Sequence, residues 1–173
     1  VAPKILATLS VRAKEGHVVL YSTDETVQTQ FVAHQVAGQV ASSTGDYLLW
    51  VDANLAALKT DSVMKRSLTY RLQQDTTTKQ WVASATMQYI HTGIFDWRTT
   101  RYLTYARIFV PKGAVLQRVL TTHGGEKQTV VDIADVAVGE ELGKQWFGVY
   151  YTLEPKITGT LTFEYVLPPK SVT

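Results

Sequence analysis

Two segments of strict two-residue alternation, joined by a short polar loop, constrain the fold of this chain more than any other feature. Apolar and polar positions alternate over residues 64–73 and again over 81–89. Successive side chains of a β-strand point to opposite faces, so each segment predicts a strand with one face towards a core. The loop 74–80 reads QDTTTKQ, a polar composition typical of a turn. The two segments together predict a β-hairpin with one solvated face.

Six further segments have strand-like composition. The run 47–54, YLLWVDAN, is apolar enough to predict a strand buried on both faces. The other five are separated by turn residues and lie at 101–110, 114–121, 125–133, 143–153 and 160–168. With the hairpin they give seven to nine strands. We therefore predict a mainly β fold, an antiparallel β-sandwich-like domain.

One helix is predicted near the N-terminus, at about residues 24–36. Ser22 and Glu25 have the spacing of a capping box, and Asp24 lies where its charge favours a helix start. Gly38 follows as the expected C-terminal cap.

The length of 173 residues fits a single domain with a sizeable core. We expect 1–173 to form one β-rich domain, with 1–16 and 168–173 as peripheral tails. The chain begins Val1-Ala2-Pro3 and contains no cysteine. These features suggest a C-terminal fragment of a longer exported protein whose anchoring segment lies upstream.

The net charge is small, but the middle of the chain is basic. Residues 59–118 contain ten Lys and Arg against three Asp and Glu. One alternative is therefore a polyanion-binding module, in which four arginines would converge on one exposed face. These are Arg98, Arg101, Arg107 and Arg118. The other alternative is that the charges scatter over several strands once the chain folds.

The sequence contains no recognisable set of catalytic residues. The histidines do not have metal-ligand spacing, and nucleophile motifs are absent, so we predict no catalytic residue, no metal site and no cofactor. A pair of His91 with Asp96 is conceivable, although a loop histidine is more often solvated. An enzyme acting on envelope glycans or their precursors remains the alternative, with acid–base groups from Asp52, Asp61, Asp96 or His91.

Four separated sequence motifs resemble those of a known protein family. The stretches HVVLYSTDETVQTQF, YLLWVDANLAALKTD, RYLTYARIFVPKGAVL and EPKITGTLTFEYVLPP resemble the C-terminal part of an uncharacterised bacterial family of membrane-anchored, largely extracytoplasmic proteins, catalogued as a domain of unknown function. The resemblance covers roughly residues 15–170. The matching positions are Gln30, Asp52, Asn54, Lys59, Asp61, Arg101, Tyr102, Tyr105, Arg107, Pro111, Gly113, Glu154 and Pro155.

The resemblance implies an extracytoplasmic location at the cell surface and supplies neither a reaction nor a ligand. We therefore predict a non-catalytic cell-envelope domain that acts in assembly or in binding a surface polymer. The expected partners are a cell-surface polysaccharide or another envelope protein, with no nucleic acid and no direct membrane insertion. The candidate binding residues are Arg98, Trp97, Arg101, Arg107, Asp52, Asn54, Lys59 and Asp61.

Strand parity gives the arginines of 101–110 a specific prediction. Arg101 and Arg107 share a face with Leu103, Tyr105 and Phe109, where guanidinium groups can lie along aromatic rings. We expect these two arginines to reach a carboxylate such as Asp52 or Asp61. A position in free solvent, away from any acid, would contradict this expectation.

Overall fold

The computed structural model of the protein describes residues 2–56, 58–169 and 171. Within these residues the fold is mainly β, with nine strands in two antiparallel sheets and two α-helices, and it is sandwich-like. The predicted fold class is therefore confirmed, and the strand number lies within the predicted range. The chain divides into two compact units, residues 1–42 and 43–173.

The first unit contains a helix that the sequence did not predict. Helix α1 (Ala2–Lys14) occupies most of the segment predicted to be a peripheral tail. Its apolar residues Ile5 and Leu9 have helical spacing, but both side chains remain exposed.

The predicted helix is present but shorter than expected, as α2 (Glu25–Ala33). Asp24 provides its N-terminal cap, because the Asp24 carboxylate accepts hydrogen bonds from the backbone N–H groups of Thr26 and Val27 at 2.9 and 3.0 Å. The helix ends well before Gly38, since Gln35 already has a left-handed backbone with φ of 58°. The run 17–22, which looks β-like in sequence, belongs to no strand.

The second unit contains all nine strands. They are β1 (Leu49–Asn54), β2 (Met64–Gln74), β3 (Trp81–His91), β4 (Tyr102–Pro111), β5 (Val115–His123), β6 (Thr129–Val131), β7 (Ala137–Glu141), β8 (Lys144–Leu153) and β9 (Thr158–Val166). One sheet has the order β1-β4-β8-β7 and the other the order β2-β3-β9-β5-β6. The chain passes repeatedly from one sheet to the other, so most strands pair with strands distant in sequence.

Side chains from the facing sides of the two sheets form the core. The largest fully buried residues are Tyr89, Tyr102, Tyr165, Phe147, Phe163, Ile108, Leu153 and Leu161. Tyrosines contribute much of this core, and several of their rings contact each other. The Tyr89 ring lies 5.3 Å from that of Tyr151 and 5.8 Å from that of Tyr102, measured between centroids. A core rich in phenols has hydroxyl groups to satisfy, and this requirement shapes the site described below.

The predicted hairpin is confirmed as β2 and β3, which pair from Met64 opposite His91 to Gln74 opposite Trp81. The Asp75 carboxylate organises its turn by accepting hydrogen bonds from the backbone of Thr77 and Thr78. The pairing is antiparallel throughout, and β2 forms an edge of its sheet.

Two strand predictions need correction. The run 47–54 was expected to be buried on both faces, but β1 is the edge strand of the four-stranded sheet and is only partly buried. Strand β7 was not predicted, because the short run AVGEE lacks both an apolar alternation and β-branched bulk.

Strand β4 follows the predicted parity. Its even-numbered residues, from Tyr102 to Val110, are fully buried towards the core. The odd-numbered residues, including Tyr105 and Arg107, point to the outer side of the four-stranded sheet. The strand ends in a turn closed by the Ala114 N–H, which donates to the Pro111 carbonyl at 3.1 Å. Gly113 has φ of 89° there, a conformation that glycine adopts without strain.

Candidate functional site

Arg66 lies at the centre of a polar cluster that joins the two sheets. It comes from β2, and its Nε donates to the Asp52 carboxylate of β1 at 3.1 Å. Its Nη2 donates to the Tyr102 hydroxyl of β4 at 2.7 Å and also to the Asp61 carboxylate. One guanidinium group therefore binds three partners, and two of them are charged. Its side chain is 28% exposed, whereas Asp52 is only 12% exposed.

The second carboxylate oxygen of Asp52 accepts the other side-chain hydrogen bonds of the cluster. Its Oδ1 accepts from the Tyr89 hydroxyl at 2.7 Å, from Thr104 Oγ1 at 3.2 Å and from the Trp50 indole at 3.3 Å. Trp50 also donates to the Tyr89 hydroxyl at 3.1 Å. Buried polar groups are stable only when paired, and each side chain here has a partner. We call these seven residues the Arg66 network: Trp50, Asp52, Asp61, Arg66, Tyr89, Tyr102 and Thr104.

The electrostatics of the network follow from burial and pairing. Burial, assisted by the Asp52 charge, raises the pKa of the Tyr89 phenol well above its ordinary value. Burial also raises the pKa of Tyr102, although hydrogen bonds with Thr104 and Arg66 act in the opposite direction. For Arg66, burial alone would lower the pKa, but hydrogen bonds to Tyr102 and Asp61 outweigh it and raise the pKa. Both phenols therefore stay protonated and Arg66 stays charged at physiological pH.

The two carboxylates of the network bind the same cation. The Arg66 guanidinium contacts both Asp52 of β1 and Asp61, which lies shortly before β2. A glycosidase uses two carboxyl groups that flank the substrate bond, with space for the sugar or a water between them. Here both acids have an internal partner, and the contact of Arg66 with Asp52 links the two sheets.

The loop after β1 is shaped by other predicted site residues. Asn54 accepts a hydrogen bond from the Ala56 N–H at 3.2 Å and donates to the Leu58 carbonyl at 3.1 Å. The Lys59 backbone N–H donates to the Arg98 carbonyl at 2.9 Å. The loop after β1 and the loop before β4 are therefore adjacent, and Lys59 lies beside Arg98.

His91 has a different environment from the solvated one expected. The side chain is buried at the end of β3, with its Nε2 2.8 Å from the Thr100 carbonyl. Its Nδ1 accepts from the Gly93 N–H at 3.1 Å, which assigns the proton to Nε2. Asp96 does not contact it. The Asp96 carboxylate instead accepts hydrogen bonds from the backbone of Thr99 and Arg98, which lower the pKa of Asp96.

The outer side of the four-stranded sheet carries aromatic residues. Tyr105 of β4 lies opposite Tyr150 of β8, and Phe109 lies opposite Trp146. Arg107 lies between these pairs in β4. Its guanidinium carbon is 5.4 Å from the centre of the Phe109 ring and 5.7 Å from that of Trp146. Tyr150 is 65% exposed, whereas Phe109 is only 5% exposed, so this surface is open to solvent at the Tyr150 end. We call these five residues the outer aromatic face.

Two glycines bring these rings close to the sheet. A side chain at Gly148 would meet the Tyr105 hydroxyl at 2.5 Å, and one at Gly139 would meet the Trp146 indole at the same distance. The Tyr105 and Trp146 rings therefore lie over backbone that carries no side chain. This packing fixes the rings before any ligand arrives, so binding would cost little side-chain entropy.

Arg107 of β4 and Arg101, which directly precedes β4, contact carboxylates, but not those predicted. Arg107 lies 3.5 Å from Glu141 of β7, and Arg101 lies 3.3 Å from Glu154. The expectation that they would reach Asp52 or Asp61 is wrong, because Arg66 binds both of those acids. The predicted stacking of Arg107 on aromatic rings is confirmed. Arg101 and Glu154 both belong to the motifs of the resemblance, and their contact brings two of those motifs together.

The four basic residues considered for a polyanion surface do not converge. Arg107 lies on the outer side of the four-stranded sheet, whereas Arg118 belongs to β5 of the other sheet and contacts Glu164 at 2.6 Å. Arg98 lies in the loop before β4 and stacks on Trp97, with its guanidinium carbon 5.7 Å from the ring centre. The basic middle of the chain is therefore spread over separate surfaces.

In residues 2–56, 58–169 and 171, no three or more His, Asp or Glu side chains are placed to hold a metal ion. Among the same residues, no helix is long and apolar enough to cross a bilayer.

The chain matches no protein-family model, and no curated protein matches it. These comparisons leave the resemblance described above as a prediction.

Sequence reasoning missed Arg66, although its pattern contained the signal. In the alternation of β2, Arg66 has the same parity as Met64 and Leu68, which places it on the inward face. A charge at an inward position requires an opposite charge nearby. The acid Asp52, within an otherwise apolar strand, was the corresponding signal on β1.

Proposed function

We propose that this protein is a non-catalytic binding domain of the cell envelope, and that it recognises a surface polysaccharide on the outer aromatic face. The observation that carries the proposal is the set of rings held over Gly139 and Gly148 beside the exposed Tyr150. Sugars present apolar C–H faces that pack on such rings, while their hydroxyl groups need hydrogen-bond partners. Arg107 and Glu141, at the same surface, offer a donor and an acceptor.

The charges of this surface favour a neutral polymer. Arg107 faces Glu141, so the two charges largely cancel, and a polyanion would gain little from the surface as a whole. A location outside the cytoplasm and a role in assembling envelope components are part of the same proposal, and they rest on the resemblance. The proposal is supported also by the Arg66 network, whose acids are occupied by an internal partner and offer no base for hydrolysis.

The test is a binding screen of the purified chain against neutral glycans and teichoic-acid-type polymers at low and high salt. We expect binding to a neutral polysaccharide with little salt dependence. Tyr150→Ala should weaken it about fivefold, because losing an aromatic contact costs on the order of 1 kcal/mol. Trp97→Ala is the matched control, since Trp97 is an exposed aromatic in a loop away from this face, and it should bind as the unmodified protein does.

Two results would overturn the proposal. One is the absence of binding to every polymer at low salt. The other is equal loss of binding in the Tyr150→Ala and Trp97→Ala variants, which would show that the outer aromatic face has no special part. Release of shorter saccharides during the incubation would instead indicate the enzymatic alternative.

A further inference from the structure

The loop 93–98, which we call the tip loop, exposes three large apolar side chains in four residues. Ile94 is 53% exposed, Phe95 60% and Trp97 84%. Single exposed apolar residues are ordinary on a protein surface, but a contiguous group marks a place of interaction. The tip loop lies between the ends of β3 and β4, so it is held by the sandwich at both sides.

The backbone of the tip loop is internally bonded. Asp96 accepts hydrogen bonds from the N–H groups of Arg98 and Thr99, and its own N–H donates to the Thr99 carbonyl at 2.9 Å. Thr99 Oγ1 donates to the Ile94 carbonyl at 2.6 Å. The loop is therefore presented in a fixed shape, and these polar groups do not need water as a partner. Both properties suit a segment that enters a poorly hydrated environment.

Three cations surround the apolar residues. Arg98 stacks on Trp97, and Lys59 is joined to Arg98 through the backbone. Lys156 lies on the other side, where its Nζ donates to the Thr92 carbonyl at 2.9 Å. Within the described residues, none of these three cations forms a salt bridge with a carboxylate. Their charges are therefore available to an external anion.

A shallow pocket lies between two of these cations. It has a volume of about 340 Å³, and its lining includes Ile94, Arg98 and Lys156. Asp96 also lines it, with its carboxylate bound by the backbone N–H groups of Arg98 and Thr99. Apolar side chains and two basic groups thus border one depression beside the exposed Trp97. A group that carries both an anion and an apolar continuation fits this arrangement.

We propose that the tip loop docks peripherally on an anionic lipid bilayer. Ile94, Phe95 and Trp97 would lie among the headgroups, and Arg98 and Lys156 would contact lipid phosphates. Tryptophan favours this depth because its ring is apolar and its N–H is polar. Basic side chains near an anionic leaflet are attracted by its negative surface potential.

The same geometry favours a bilayer over a protein partner and limits the depth of docking. Phe95 and Trp97 are largely exposed and do not line the pocket, so they suit a deformable surface. Asp96 remains ionised at the tip because backbone hydrogen bonds lower its pKa. A carboxylate is costly in hydrocarbon, so the tip loop rests at headgroup level and does not span.

The test is sedimentation of the purified chain with two kinds of vesicle, one of phosphatidylcholine alone and one containing one third phosphatidylglycerol. We expect binding to the anionic vesicles at low salt, weaker binding at high salt and little binding to the neutral vesicles. Brominated lipids should quench the fluorescence of Trp97, because bromine in the upper chain region lies close to a ring at the interface.

The decisive variant is Phe95→Ser combined with Trp97→Ala, which leaves Asp96 and Thr99 in place. Binding to anionic vesicles should fall at least tenfold, since burial of these two rings contributes more than about 1.4 kcal/mol. Leu142→Ala is the control, because Leu142 is an equally exposed apolar residue (67%) far from the tip loop. It lies in the turn before β8, whereas the other end of β8 pairs with Tyr102, near the tip loop. Tyr150→Ala serves as a second control on the outer aromatic face.

Three outcomes would overturn the proposal. They are no binding to anionic vesicles at low salt, equal binding by the double variant and Leu142→Ala, and quenching that persists in Trp97→Ala. If the double variant fails to fold, the quenching measurement on the unmodified protein and on Trp97→Ala decides alone. Failure of polymer binding on the outer aromatic face would leave these vesicle measurements unaffected, because Tyr150 takes no part in them.

Discussion

Arg66 and Arg107 lie on strands of the same sandwich, but their surroundings differ in kind. Arg66 points inwards and binds Asp52, Asp61 and Tyr102, so its guanidinium group contacts two strands of the opposite sheet and the segment before β2. Arg107 points outwards, lies over Phe109 and Trp146, and reaches only Glu141 at 3.5 Å. The first arginine belongs to a closed network, and the second remains open on one side.

The difference separates a structural role from a binding role. A network in which each buried polar group is paired holds the sheets in register, and an incoming ligand would have to break it. An arginine on aromatic rings, with one weak acidic contact, keeps donors free for a ligand. Charge alone would have assigned both residues to the same basic segment.

The largest expected effect comes from removing the inward charge. Arg66→Met leaves Asp52 and Asp61 without their cation and should lower the free energy of unfolding by about 2–3 kcal/mol, somewhat below the value for a fully buried pair. The cause is the desolvated Asp52 carboxylate left uncompensated. Urea unfolding followed by circular dichroism measures the change.

Arg107→Met is the matched comparison, because it makes the same substitution on the outward side. Its unfolding free energy should change by less than about 0.5 kcal/mol, as is usual for surface substitutions. Equal destabilisation by the two variants would show that Arg66 and Arg107 contribute alike to stability, against the distinction drawn above.

The next largest effect on stability is expected from removing a phenol hydroxyl of the Arg66 network. Tyr89→Phe removes the hydroxyl that donates to Asp52 and accepts from Trp50. We expect a loss of about 1–2 kcal/mol, because a hydrogen bond to a charged group is lost within the core. Tyr150→Phe is the control on the outer aromatic face and should leave unfolding unchanged. A neutral result for Tyr89→Phe would indicate that a water replaces the hydroxyl.

Raising the pH tests the contribution of the Tyr89 hydroxyl to stability without a substitution. Burial and the Asp52 charge raise the pKa of Tyr89, so the folded state holds this proton more tightly than the unfolded state. Its contribution is fully present below the unfolded pKa of about 10 and is lost as the pH rises above that value. Between about pH 9 and pH 11 the unmodified protein should lose roughly 1 kcal/mol more stability than Tyr89→Phe.

Urea unfolding at each pH, together with tyrosinate absorbance, measures this loss. Identical pH dependence in the two proteins would mean that Tyr89 ionises in the folded state as it does in the unfolded one. In that case the network would not enclose the phenol as the structure indicates.

The smallest effect on stability is expected on the open side. Glu141→Gln removes the only carboxylate that contacts Arg107 in the described residues. Because the contact is long and both side chains are accessible, unfolding should change by less than about 0.5 kcal/mol. Binding of an anionic polymer at low salt should nevertheless increase, since the Arg107 charge is no longer offset. Unchanged anionic binding would show that Arg107 does not face the ligand.

The fold was predictable from the sequence where a strand repeats its alternation. The hairpin of β2 and β3 and the parity of β4 follow from the two-residue period. Strand β7 and helix α1 were missed because a short run or an isolated helix carries too little pattern. The edge position of β1 could not be inferred, since an apolar run does not tell how many neighbours a strand has.

The site was predictable only in part, because the local sequence pattern of a strand does not show which distant strand it contacts. Asp52 and Asp61 were identified as notable, yet their partner Arg66 comes from another strand and was overlooked. The buried state of His91 depends on the Thr100 carbonyl, which the fold supplies. The tip loop shows no signal in sequence beyond its three apolar residues, and only their exposure in the structure distinguishes a surface segment from a core segment.

The position of β9 has a consequence for how the protein folds. Among the described residues it is the last strand in chain order, yet it lies in the middle of its sheet, paired with both β3 and β5. Until residues 158–166 pair, β2–β3 and β5–β6 are separate pieces, each with an unpaired edge. Closing the sheet requires contacts across long stretches of chain, and such contacts slow folding. An unfolded or incomplete chain of this protein therefore exposes open edges that can pair with other strands.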